Sequence, residues 1–507
     1  MSFPRASGIL LHPISLPGRF GIGDLGSEAY QFADFLAGTG QHLWQILPLG
    51  PTGYGNSPYQ CLSVFAGNPL LVSLEKLVED GFLESADLID ALFFPENKVD
   101  YDSVIKFKTP LLKKSFEAFE RTAARREQKQ FKVFCRQNAR WLQTYSLFMA
   151  LKDAHGLTAW NSWEEGIRRP EPKSLKNWGR KLEREIRYHK YQQYQFFKQW
   201  SELKAYCNER QIGFVGDMPI FVALDSAEVW SHPDMFHLDD SGRPTVLAGV
   251  PPDYFSQTGQ LWGNPLYRWD VMARDGYAWW IERFRATHAL VDIIRLDHFR
   301  GFEKYWEVPA TETTAVSGRW VTGPGAELFQ AVQNELGSLP IIAEDLGMIT
   351  PEVNALREQL GFPGMRVLQF SFGSGRKADE YRPYNFPRNC AVYTGTHDNN
   401  TTLGWFRGDD VKDSTQSREE REKEKRVALT YLGTDGHEIN WDFTRLALMS
   451  AANTAIIPMQ DILGLGSEAR MNLPGRAEGN WCWRFVPDML KGEVKAKLKR
   501  LTLLSER

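Results

Sequence analysis

Short apolar runs that end abruptly in polar residues recur along the chain. They read SGILLHPIS from Ser7, HLWQILPLG from His42, IGFVGDMPIFV from Ile212 and ALVDIIRLDHFRG from Ala289. LPIIAEDLG from Leu339, GMRVLQFSF from Gly364, CAVYTGTHDNN from Cys390 and TAIIPMQDILG from Thr454 complete a set of eight. Several are nearly continuous in Ile, Val and Leu, the pattern of parallel strands buried on both faces. Amphipathic, helix-like segments separate them. In GSEAYQFADFLAGTG, Ser27 is placed to cap and Gly38 to stop a helix. In TPEVNALREQLGFPG, Thr350 caps, Pro351 takes the first turn and Gly361 ends it. Strand and helix alternating eight times predict an α/β fold of the (β/α)8 TIM-barrel type.

Two intervals exceed one crossover: about 160 residues between the second and third runs, and about 70 between the third and fourth. The expected organisation is one catalytic barrel over 1–507 with two insertions. Residues 53–205 read as a mostly helical subdomain after strand two. Residues 223–275 read as a lid-bearing loop region between strands three and four, rich in Gly, Pro and aromatics. The charged run TQSREEREKEKR reads as a solvated helix, with Ser417 and Glu420 as a capping box.

Composition narrows the function. The chain has 507 residues, 60 Lys plus Arg against 63 Asp plus Glu, and a net charge of −3, which gives no pull toward nucleic acid or an anionic membrane. Its five cysteines are scattered without a C-x-x-C pair, as suits a reducing cytoplasm. No apolar run is long enough to span a membrane, the N-terminus lacks the pattern of a signal peptide, and no cofactor motif or obligatory protein partner is evident. The 17 tryptophans are many; their flat faces suit either a core or sugar rings.

GIGDLG at 21–26 matches a dinucleotide fingerprint, but Pro17, Gly18 and Arg19 separate it from the strand and the second run carries no terminal acid, so it is set aside. The acids at strand ends say more. Asp217, Asp297, Glu344, Asp398 and Asp461 each follow a different apolar run, and in a barrel such positions share one mouth. One such acid is usually a cap or an ion-pair member; five at one rim are costly unless used. Clustered carboxylates serve metals or glycosyl transfer. The common metal motifs are absent, though Mg²⁺ held by scattered Asp stays open. Glycosyl transfer needs one carboxylate ionised and another protonated. Arg295 lies on the same strand face as Asp297, which favours the charged form there. Glu344 follows an apolar strand beside Asp345, which favours the neutral form.

RLDHFRG, IIAEDLG, GTHDNNTT, GYGNSPYQ, GVPPDYFSQTGQLWGNPLY and LGLGSEARMNLPG together resemble the 4-α-glucanotransferases, of the wider α-amylase clan, from about Ser7 to about Arg484. The resemblance implies no separate C-terminal β domain. It implies a retaining transfer of an α-1,4-glucan segment to the 4-hydroxyl of another glucan, so that glucans and maltooligosaccharides are donor and acceptor. It implies Asp297 as nucleophile, Glu344 as general acid/base and Asp398 as transition-state stabiliser. Arg295, His298, Asp217 and His397 would line the donor sugar, and Ser57, Tyr59, Trp262 and Asn472 the neighbouring glucose units. Tyr54 and Tyr101 fall where some relatives bind glucan away from the active site. Asn56 and Asn400 stand where the family more often has Asp. The two reacting carboxyls are expected about 5–5.5 Å apart. The 249–269 lid and the GYGNSPYQ loop are the candidates to exclude water and stack on an acceptor; the alternative is that Tyr254, Phe255 and Trp262 only pack the lid on the barrel. The rival readings are an α-glucan hydrolase with the same residues, a non-catalytic glucan-binding protein, and a metal-dependent hydrolase.

Overall fold

A computed structural model describes residues 3–89, 93–252, 256–373, 376–409, 417–476 and 478–507. All eight apolar runs are strands: β1 Ala6–Leu10, β2 Leu43–Gln45, β3 Gly213–Pro219 and β4 Ile293–Asp297, then β5 Ile341–Ala343, β6 Gly364–Val367, β7 Cys390–Tyr393 and β8 Thr454–Pro458. They form one parallel sheet in the order β6-β7-β8-β1-β2-β3-β4-β5. The seam between its two edges is bridged by the Ala343 amide, which donates to the Pro363 carbonyl at 2.9 Å. Asp345 adds to the closure. It accepts the Met365 amide at 2.6 Å and pairs with Arg357 at 3.2 Å. That approach needs glycine at 364, where a Cβ would lie 2.2 Å from an Asp345 carboxylate oxygen.

Residues between β2 and β3 are mostly helical, ending in the helix Glu183–Glu209. Between β3 and β4, the segment expected to be loop contains two strands, Val246–Val250 and Gln260–Pro265. They join Lys304–Pro309 and Arg319–Thr322 in a separate four-stranded sheet with antiparallel neighbours. The Gly- and Pro-rich sequence hid this because the partner strands lie beyond β4. The tryptophan surplus is largely structural: Trp44, Trp160, Trp200, Trp230 and Trp280 are among the largest fully buried side chains.

Local signals mostly held. The Ser417–Glu420 capping box is present, and Thr350 and Pro351 open the helix Pro351–Gln359. The first helix, Ser27–Gly38, is capped by Gly26 rather than Ser27. Asp24 is the reason: its Oδ1 accepts the Gly26 amide at 2.9 Å and turns the chain one residue early. Asp24 also faces Lys108 Nζ at 3.5 Å, and that ammonium donates to the Leu70 carbonyl at 2.7 Å. GIGDLG therefore anchors the helix Tyr101–Thr122 to the barrel. Burial pushes the Asp24 carboxyl up and the Lys108 ammonium down from their usual ranges.

Removing one member of such a buried pair strands the other. Asp24→Ala is expected to cost about 3–5 kcal/mol, seen as a lower melting temperature. In a Lys108→Met background the same substitution should cost much less.

Candidate active site

The β3–β4 ladder places Asp217 directly opposite Arg295 and Pro219 opposite Asp297. Alternation then turns Arg295 and Asp297 to one face of β4 while Ile294 and Leu296 are buried on the other. Arg295 Nη1 donates to both oxygens of Asp217 at 2.7 Å and to Asp297 Oδ1 at 2.8 Å. Tyr59 Oη donates to Asp217 Oδ2 at 2.7 Å. Burial opposes the charge on Arg295, but Asp217 and Asp297 outweigh it and hold the guanidinium well above its ordinary range. Burial, reinforced by Asp217 and Asp297, raises the Tyr59 phenol well above its usual value, so it stays a donor. Asp217 is itself pushed up by burial and held back by Arg295.

Beyond Asp297 the chain turns through a left-handed residue, His298 (φ 52°, ψ 49°). Left-handed backbone is uncommon for a residue with a Cβ. Here it aims the His298 amide at Glu344 Oε2, 2.8 Å away, and the Leu346 amide donates to Glu344 Oε1 at 2.8 Å. Burial and then the charge of Asp297 raise the Glu344 carboxyl to about 8, against the pull of Arg295 and the Leu346 amide. The neighbouring Asp345 adds least to this: its carboxylate is engaged at the β5–β6 seam with Arg357 and Met365.

Asp398 follows β7. Asn472 Nδ2 donates to its Oδ1 at 2.6 Å, Arg470 donates to its backbone carbonyl at 2.6 Å, and His397 Nε2 lies 3.4 Å from its Oδ2. The rings of Tyr59, His397 and Trp481 pack together, Tyr59 stacked on His397 at 5.2 Å. Asp217, Asp297 and Asp398 all act on the Tyr59 phenol, which places the three acids around one centre. His298 packs edge-on against Trp262 at 4.8 Å. Gln60 reaches across to the Trp262 carbonyl at 3.4 Å and Asn264 at 3.3 Å, joining the GYGNSPYQ loop to the outer sheet. His298 Nε2 and His397 Nδ1 are buried without a protein partner. Burial lowers His298 to about 4, so its ring is neutral.

Other expected residues stand differently. Ser57 Oγ accepts the Tyr59 amide at 3.2 Å and shapes that loop. Tyr54 is exposed, whereas Tyr101 is buried with its hydroxyl donating to the Trp481 carbonyl at 2.8 Å, so it offers no free face to a sugar. Asp461 differs in its partners: it is buried, and both of its carboxyl oxygens accept hydrogen bonds from Thr394 and Thr402. Asn400, also buried, donates to Ser467 Oγ at 2.8 Å and accepts the Thr401 amide. Asn56 adopts φ 55° in the loop before Tyr59, a conformation asparagine tolerates. Tyr254 and Phe255 lie outside the described residues. Cys61 is a buried thiol raised by burial to about 12, no nucleophile. Among the described residues, no group of three or more His, Cys, Asp or Glu could hold a metal ion, and no helix is long and apolar enough to cross a membrane.

Three residues here were missed in the sequence. Arg470 sits in the LGLGSEARMNLPG motif two residues before Asn472 and could have been taken with it. Trp481 carries no local signal, since its role depends on packing against His397. His12, buried with Nδ1 unpartnered, is lowered to about 3 by burial and then by His397 nearby; its position just after β1 was its only clue.

Comparison with known proteins agrees with this geometry. The sequence profile described as 4-alpha-glucanotransferase matches residues 11–489. A 4-alpha-glucanotransferase of Synechocystis sp. is 52% identical over 99% of this chain and 97% of its own length. One from Thermus thermophilus is 50% identical over the whole of both. The structure of an amylomaltase from Streptococcus agalactiae in complex with acarbose superposes with a TM-score of 0.94 at 39% identity, covering 99% of each chain. Carboxylates, arginine bridge and barrel thus sit in a sequence similar along almost its entire length to these proteins, and the chain belongs to the 4-alpha-glucanotransferase family.

Proposed function

We propose that this protein is a 4-α-glucanotransferase, which moves a segment of an α-1,4-glucan to the 4-hydroxyl of another glucan or of glucose by a retaining double displacement. What carries the residue assignment is the contrast between two neighbouring carboxyls. Asp297 lies against a guanidinium at 2.8 Å, while Glu344 holds its proton to about 8. A nucleophile must be ionised and a general acid protonated at the same pH. Glu344 gives its proton to the glycosidic oxygen as Asp297 attacks the anomeric carbon, leaving a glycosyl ester on Asp297. The same Glu344, now ionised, takes the proton of the incoming 4-hydroxyl, and the ester is cleaved by that oxygen.

Asp398 is the acid placed to hold sugar hydroxyls as the ring flattens. The free ring nitrogens of His298 and His397 are donor or acceptor groups for the same sugar. Tyr59 and Trp262 supply apolar faces around it, and Trp481 backs Tyr59. Water competes with the acceptor in the second step, so the acceptor must be bound and oriented. The loop carrying Tyr59 and Gln60 and the strand carrying Trp262 are the parts assigned to that task. The glucan-binding roles of Ser57, Asn472 and Tyr54 belong to the same proposal, with Asn472 acting through its hydrogen bond to Asp398.

Two results test this. Maltotriose is expected to give glucose and a ladder of longer chains with almost no gain in reducing ends. Reducing ends that accumulate as fast as glucose would instead make the protein a hydrolase, and Asp297→Asn should abolish both products. The second result concerns protons. The alkaline limb of kcat/KM should fall near pH 8, because rising pH takes the proton from Glu344. Glu344→Gln should cost about 10²–10⁴-fold on maltotriose, and far less on an α-maltosyl fluoride donor, whose leaving group needs no proton.

A further inference from the structure

The segment after β8 holds the segment after β7 at both ends. At the base, Asp461 Oδ1 accepts the Thr402 amide at 2.7 Å, and its Oδ2 accepts the hydroxyls of Thr402, at 2.7 Å, and Thr394. Thr394 directly follows β7, and Thr402 opens the helix Thr402–Arg407. One carboxyl therefore ties the beginning and the end of the loop 394–402. Asp461 is held in turn, since Asn440 Nδ2 donates to its backbone carbonyl at 2.8 Å. At the tip, Arg470 donates to the Asp398 carbonyl, Asn472 Nδ2 to its carboxylate, and the Asn472 amide to the His397 carbonyl at 3.1 Å. Between them, Asn400 donates to Ser467 Oγ.

We propose that Asp461 is a positioning residue for catalysis: buried, with its carboxyl oxygens taken by Thr394 and Thr402, it sets the loop that aims Asp398. The physical argument is one of stiffness. Five residues, Gly395 to Asn399, lie between the Thr394 strand end and Asn400, which is anchored to Ser467. Such a loop holds a catalytic carboxylate within the required fraction of an ångström only if its ends are pinned. A buried carboxyl accepting three bonds, two of them from rigid β-branched side chains, is such a pin. The acid at the end of β8 thus serves the reaction without touching substrate. The inference rests on the assignment of Asp398 given above.

The test is a double-mutant comparison on maltotriose, each variant assayed below its own melting temperature. Asp461→Ala is expected to lower kcat by about 10–100-fold with little change in KM, since Asp398 is assigned to the transition state. Asp461→Asn keeps one acceptor for the Thr402 amide and lets the two threonine hydroxyls rotate to accept from Nδ2. It should recover to within about threefold of the unmodified protein. In an Asp398→Ala background, assayed with α-maltosyl fluoride, Asp461→Ala should change kcat hardly at all, because the group it positions is gone. If Asp461→Ala does not fold, the pair Thr394→Val and Thr402→Val removes the two hydroxyl bonds and carries the same comparison. The inference is overturned if the kcat loss persists in full in the Asp398→Ala background, or if the effect falls on KM alone. An Asp398→Ala protein with unimpaired kcat would instead overturn the assignment of Asp398.

Discussion

One nitrogen of Arg295, held between Asp217 and Asp297, is the interaction on which the rest of the site depends. Two carboxylates and one cation, with Arg295 and Asp217 buried, are stable only while mutually paired. The pairing gives Asp297 a cationic partner at 2.8 Å. The charge of Asp297 acts on Glu344, already disfavoured as an anion by burial, and helps keep it protonated. The same guanidinium pulls Glu344 the other way, so its proton is kept by burial and by Asp297. Through Asp217 the effect extends to Tyr59, whose phenol is fixed as a donor and whose ring then orders His397 and Trp481.

Backbone geometry makes the arrangement specific. The left-handed turn at His298 spends conformational strain to point an amide at Glu344. Asp345, next in the chain to Glu344, is turned the other way and its charge is taken up by the barrel seam. Two adjacent acids thus face different surroundings, one the Asp297 carboxylate and one the barrel seam, because alternation along an extended segment sends them to opposite sides.

The barrel could be read in the sequence because its strands are buried on both faces and appear as apolar runs that stop at polar residues. Arg295 and Asp297 could be paired by their spacing on a strand. What could not be read was set by partners distant in the chain. The outer sheet looked like a loop because two of its strands come from residues 304–322. Asp461 looked like its four counterparts, and its threonine donors set it apart from them. Tyr101 carries no sign in sequence that its face is covered, and nothing in the sequence told which tryptophans fill core, as five of them do, and which could meet a sugar. Local chemistry was legible; burial, which decides what that chemistry is for, was not.

The central claim is that Glu344, buried beside Asp297, keeps its proton to about pH 8. Infrared difference spectra between the unmodified protein and Glu344→Gln, recorded across pH, test it most directly. The account predicts a protonated-carboxyl C=O band assignable to Glu344 at pH 6–7 that is lost as pH passes about 8. Absence of that band at pH 6, with Glu344 seen only as carboxylate, would contradict it.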